Sequence, residues 1–128
     1  MELRAGASGG PLEGVVVADF SRILAGPLAA MMLGDHGADV LKIERPGLGD
    51  DTRSWGPPFA ADGSATYYLS VNRNKRSVTL DLTDEDQRAQ ARALAVSADV
   101  VVENFRAGTL ERFGLDYESL RAANPGLL

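Results

Sequence analysis

A chain of 128 residues, 45% of them hydrophobic, is long enough to bury one core and has the length of a single domain. Its 13 Lys and Arg against 18 Asp and Glu leave a net charge of −5, which argues against nucleic-acid wrapping or docking on an anionic membrane, both of which need a basic face. There is no cysteine, so disulfides, thiolate nucleophiles and Cys-type zinc sites are excluded.

The leader MELRAGASGG, residues 1–10, has no apolar core and carries Glu2, so it reads as a flexible tail rather than a signal peptide. No apolar run approaches the roughly 20 residues that span a bilayer. The expectation is a soluble cytoplasmic protein with one domain over residues 11–128. GVVVADF, residues 14–20, is a β-branched run that reads as a buried strand. In GPLAAMMLGDHG, Pro27 suits the first helical position and Gly37 the end of a helix. ADVLKIE, residues 38–44, is the second strand, so the opening is a βαβ unit with a parallel pair and a right-handed crossover.

Residues 45–65 are rich in Gly, Pro and Asp and read as a loop of about twenty residues, a length that is usually functional or disordered. TYYLSVN, 66–72, reads equally as a short strand or a helical turn, and KRSVTLDL, 75–82, alternates like a strand. Thr83 looks like an N-cap, with Asp84, Glu85 and Asp86 in the first turn. Ala91, Leu94, Ala95 and Ala98 fall on one helical face. DVVVENF, 99–105, is another strand, and two short helices follow, the second capped by Asp116. After the Asn-Pro-Gly turn, Leu127 and Leu128 read as the first residues of a further strand, which suggests either a truncated larger protein or a frayed terminus. The fold class is therefore α/β, a mostly parallel Rossmann-like sheet of roughly four or five strands with flanking helices. Such sheets bind ligands beyond the carboxyl ends of their strands, where DFSRILAGP, ERPG and ENFRAG fall.

Each candidate there has a plain reading beside the functional one. Gly26-Pro27 opens a helix whose free N–H groups suit a phosphate, but no G-x-G-x-x-G or P-loop lysine motif is present. Arg45 is a solvated arginine or a phosphate partner. NRNKRS, 72–77, is a solvated rim or an anion site. Phe105 is a core residue or a platform for a heterocycle, with Asn104 and Arg106 beside it and Arg112 further on. His36, the single histidine, fits a helix end better than catalysis. Asp19 ends a strand as metal-binding acids do, yet no second acid completes a site, and no triad or acid/base pair stands out.

Three segments, PLEGVVVADFSRILAGPLAAMMLGDHGADVLKIERPGLGDDTR, NRNKRSVTLDL and ADVVVENFRAGTLERFGLDYESLRAANPGLL, closely resemble the start of family III CoA-transferases, a family that includes formyl-CoA transferase, carnitine CoA-transferase relatives and α-methylacyl-CoA racemase. The resemblance covers residues 11–128 almost without a break. It implies coenzyme A or an acyl-CoA as substrate, without a metal. It also implies CoA contacts at Ile23, Leu24 and Ala25 after the first strand, at Arg45, at Leu80, Asp81, Leu82 and Thr83, at Asn104, Phe105 and Arg106, and at Arg112. Thr83 stands where the family often has lysine, and Arg106 where it often has glycine. The family's aspartate nucleophile and the racemase's proton-transferring pair fall beyond residue 128, and Asp19, Asp35 and His36 do not match them. The resemblance thus implies the CoA-binding N-terminal portion of a transferase or racemase-like enzyme, inactive alone, with a homodimer or a further chain as partner. A stand-alone CoA- or nucleotide-binding module is the alternative, and a receiver-like signalling domain a third reading.

Overall fold

The computed structural model describes residues 9–128, so most of the expected leader lies outside the described residues. Four β-branched or alternating runs form the sheet: β1 (Val16–Asp19), β2 (Asp39–Glu44), β3 (Lys75–Thr79) and β4 (Val100–Val102). All neighbours are parallel and the spatial order is β3-β2-β1-β4, with Val17 opposite both Val40 and Val100. Every strand is shorter than its apolar run. Past Asp19 and Thr79 the chain leaves the sheet after one more ladder contact each, Phe20 N–H to the Val102 carbonyl at 2.8 Å and Leu80 N–H to the Glu44 carbonyl at 2.9 Å.

Parallel pairing requires crossovers, and helices supply them. Helix α1 (Ala25–Asp35) covers one face, where Val17, Val40, Ala30 and Ala38 are buried together. The other face packs Val16, Ala18, Phe20 and Ile43 against α3 (Glu85–Ser97) and α4 (Tyr117–Ala123). The expected apolar face of α3 is present: Ala91, Ala95 and Ala98 are buried and Leu94 is partly buried in the same cluster. The segment readable as strand or turn is a one-turn helix, α2 (Thr66–Ser70).

Local signals place the helix ends, with two corrections. Helix α1 begins at Ala25, so Pro27 occupies its third position, where the missing N–H is still one that no helical partner would use. Its other end is a Schellman motif: Gly37, at φ 103°, donates to the Gly34 carbonyl and Ala38 donates to that of Leu33. Gly26 is required for a different reason, because a Cβ there would lie 2.3 Å from Ser21 Cβ. The N-cap of α3 is Asp84, not Thr83. Asp84 accepts from Gln87 N–H at 2.9 Å, while the Thr83 hydroxyl is turned back to the Asp81 carboxylate at 2.6 Å. Asp84→Ala is expected to cost about 1 kcal/mol, read as a lowered urea midpoint, and more than Thr83→Ala. Asp116 caps α4 as expected, accepting from Ser119 N–H. At Leu128 the N–H donates to the Asp99 carbonyl and the carbonyl accepts from Val101 N–H, the alternation of a parallel ladder on the outer edge of β4.

Candidate functional site

The sheet order reverses between β1 and β4, and the loops that leave these strands are tied together there. The Asn104 side chain accepts from Arg22 N–H at 3.0 Å and donates to the Arg22 carbonyl at 2.7 Å. The Arg22 guanidinium lies over the Phe105 ring, 4.7 Å from its centroid. Between these loops and the ends of β2 and β3 opens a cavity of about 200 Å³. Phe20, Ile43, Leu80, Leu82, Phe105 and Phe113 give it apolar walls, and Arg22, Lys42, Glu44, Arg45, Asp50 and Asp81 stand at its polar parts. Drug-sized ligands fill about 300–1,000 Å³, so this space takes one ring or slender arm of a large ligand and leaves the rest outside. A second recess of about 230 Å³ shares Glu44, Arg45 and Gly49 with the first and adds Arg53, Ser77 and Thr79.

Two buried ion pairs lie on the α1 side of the sheet, and the first of them lines the cavity. Lys42 Nζ meets Asp50 Oδ2 at 2.9 Å and donates to the Ser21 carbonyl at 3.0 Å. Lys75 Nζ meets Asp19 Oδ2 at 2.8 Å and donates to the Pro27 carbonyl and to Asn72. Burial pushes the Lys75 ammonium below the usual lysine range, against the pull of Asp19. Asp19 also accepts from the Ser21 N–H and hydroxyl. It is thus a structural counter-ion, and among the described residues no cluster of three or more His, Asp or Glu is arranged for a metal.

The long 45–65 loop is folded, and Glu44 is its anchor. Burial alone would raise this carboxyl, but hydrogen bonds from Arg53, the Ser77 hydroxyl and Asp50 N–H overcome it and bring the pKa down from 4.5 to about 2. Arg53 stacks on Tyr68, 3.9 Å from the ring centroid, and donates to its hydroxyl at 2.7 Å. Burial and the nearby Glu44 charge push the Tyr68 phenol up to about 12. Asp50 caps the 3-10 turn Asp51–Ser54. Beyond it Trp55 meets Tyr67 edge to face, centroids 5.3 Å apart. Arg45 pairs with Asp51 and donates to the Gly49 carbonyl at 3.1 Å. Both members of the Arg45–Asp51 pair are well exposed, so an incoming anion competes with little binding energy.

Six of the residues named from sequence, Arg45, Leu80, Asp81, Leu82, Thr83 and Phe105, line the cavity. Asn104 brackets Arg22 from outside. Ile23, Leu24 and Ala25 are exposed at the start of α1, and they, Arg106 and Arg112 line neither recess. The cations of NRNKRS do not form an anion site, because each faces a carboxylate: Arg73 that of Asp35, Lys75 that of Asp19 and Arg76 that of Asp39. His36 is the C-cap of α1. Sequence reasoning passed over Arg22, Lys42, Asp50 and Phe113. A cation placed directly after DFS was the available signal for Arg22; a lysine inside an apolar strand was the one for Lys42.

Comparison with known proteins adds the family. The chain is 54% identical to the succinate–glutarate CoA-transferase of Agrobacterium fabrum over 92% of its length and 31% of that protein's. It is 52% identical to the human succinyl-CoA:glutarate CoA-transferase, over 92% of this chain and 27% of the relative. A CAIB/BAIF family protein from Brucella suis superimposes with a TM-score of 0.89 at 52% identity, over 93% of this chain and 32% of that structure. The chain thus spans less than a third of the length of these relatives. The family model for CoA-transferase family III matches residues 12–128, nearly the whole described domain, and the chain belongs to that family.

Proposed function

We propose that this chain forms the CoA-binding portion of a CoA-transferase for dicarboxylic acids, working in the cytoplasm. The observation that carries the reading is the cavity at the sheet's reversal point, where Arg45, Leu80–Thr83 and Phe105 converge although 60 residues separate the first from the last. An apolar cavity too small for a whole nucleotide thioester suits one part of CoA, and Arg22 and Arg45 at its polar parts suit the phosphates, which guanidinium groups bind in bidentate fashion. Exposed Arg106 and Arg112 add positive charge along the β4 loop. The dicarboxylate class rests on the names of the similar transferases from Agrobacterium fabrum and human.

The cavity carboxylates are committed to internal bonds. Glu44 is held by Arg53 and Ser77. Asp50 is held by Thr52 and Lys42, which outweigh its burial and keep it below the usual range. Asp81 is lowered by Thr83. None of these three is offered as the carboxylate nucleophile that acyl transfer needs, so the chain binds and orients CoA but does not by itself transfer it. A second copy or a further chain acts with it.

Calorimetric titration tests the reading. CoA is expected to bind, and dephospho-CoA to bind about tenfold more weakly if an arginine meets the 3′-phosphate. Arg45→Leu is expected to weaken CoA by a similar factor. Absence of CoA binding overturns the site, equal affinities remove the 3′-phosphate contact, and rapid transfer of CoA from succinyl-CoA to glutarate by the purified chain overturns the claim of inactivity.

A further inference from the structure

Ile23 is held at φ 74°, in the left-handed region that β-branched residues essentially avoid. Glycine would adopt this backbone freely. The isoleucine is not there to fill the core, since it is 37% exposed beside the cavity loop. Something else must hold the backbone in place, and it is a carboxylate from another segment. Ile23 N–H points at both oxygens of Asp50, at 3.3 and 3.4 Å. Asp50 is almost wholly buried and cannot turn away, because Thr52 donates to it from N–H and hydroxyl and Lys42 Nζ pairs with it at 2.9 Å. The same ammonium donates to the Ser21 carbonyl. One buried ion pair therefore grips the loop by a carbonyl and, two residues on, by an N–H.

We propose that Asp50, braced by Lys42, is a positioning residue that fixes Ile23 in its left-handed conformation and so presents an apolar wall to CoA outside the cavity, next to the cavity-lining Arg22. The inference rests on the CoA reading for the identity of the ligand, but its conformational half stands on this geometry alone. Asp50 does not react and need not touch the ligand. It acts through the backbone of Ile23, and its ion pair is insulated from solvent so that the grip does not depend on salt.

The test is a double-mutant cycle on CoA affinity. Replacing the pair together, Lys42→Met with Asp50→Leu, removes both charges at once and avoids leaving one buried alone. The expected result is a folded protein by circular dichroism, a CoA affinity reduced about tenfold, and an Ile23 amide that exchanges freely, where slow exchange is expected of the unaltered protein. Ile23→Gly alone is expected to weaken CoA several-fold with little change in Tm, and to weaken it no further once the pair is replaced. Losses that simply multiply overturn the proposal, as does an Ile23 amide that exchanges freely in the unaltered protein. A large fall in Tm for Ile23→Gly also overturns it, and that single exposed substitution remains informative if the pair replacement fails to fold. Absence of CoA binding by the unaltered protein counts against the ligand reading instead, and the exchange experiment then decides the positioning of Ile23.

Discussion

Asp19→Asn is expected to destabilise the protein by about 3–5 kcal/mol at neutral pH, lowering Tm by roughly 10–20 °C in a thermal scan. The variant keeps an acceptor for Ser21 but removes the one charged hydrogen-bond partner of Lys75 Nζ among the described residues, leaving the neutral Pro27 carbonyl and Asn72 amide. The Lys75 side chain is 2% exposed, so water cannot take over. The fold's way out is to shed the proton, which for a lysine of ordinary pKa near 10.4 costs about 4–5 kcal/mol at pH 7 and sets the ceiling. The sign of the pH dependence follows. A lysine depressed in the fold is penalised below its unfolded pKa, so the variant regains stability as pH rises toward about 10. Adding Lys75→Met removes the stranded charge and is expected to restore most of the loss. A Tm shift of only a few degrees for Asp19→Asn would show that the pair is not buried as described.

The second large effect is acid lability centred on Glu44. Its carboxyl stays ionised in the fold down to about 2, while in the unfolded chain it takes up a proton near 4.5. The stabilisation is therefore complete above about pH 4.5 and is lost as pH falls toward about 2, amounting to roughly 2–3 kcal/mol after allowance for the partly solvated Arg53. Asp50, also lowered, adds to the same slope. Urea midpoints measured across this window are expected to fall steeply for the unaltered protein and more shallowly for Glu44→Gln, which starts less stable at neutral pH. Parallel slopes for the two proteins refute this role of Glu44.

The parts of the fold legible in the sequence are those whose signals are local. VVVADF, DVLKIE and DVVV are apolar runs that only a doubly covered sheet accommodates, and Gly37 and Asp116 carry their capping chemistry in their own neighbourhoods. Thr83 and Asp84 are both capping residues in adjacent positions, and only the competing Asp81 turn decides between them. The burial of Lys42 and Lys75 was not legible in the sequence because what permits it lies elsewhere: Asp50 sits in a loop and Asp19 lies 56 residues upstream of Lys75. The cavity was legible as family pattern at Arg45, Leu80–Thr83 and Phe105. Its floor was not, since Phe20 and Phe113 look like ordinary core residues until the strands' ends are in place. NRNKRS was readable as a solvated rim or as an anion site. Three cations close in sequence look like one anion site, but the turn before β3 gives Arg73 to Asp35, while β3 gives Lys75 to Asp19 and Arg76 to Asp39.

Trp55, the one tryptophan in the chain, rests against Tyr67 at the far end of the segment that Glu44 fastens. Its emission is consequently a gauge of that segment, whereas the circular dichroism of α1 and α3 gauges the sheet and its covering helices. Followed side by side during acid titration, the optical signals need not move together: a fluorescence change that precedes the loss of helical ellipticity is the mark of a loop unfastened from an intact sheet.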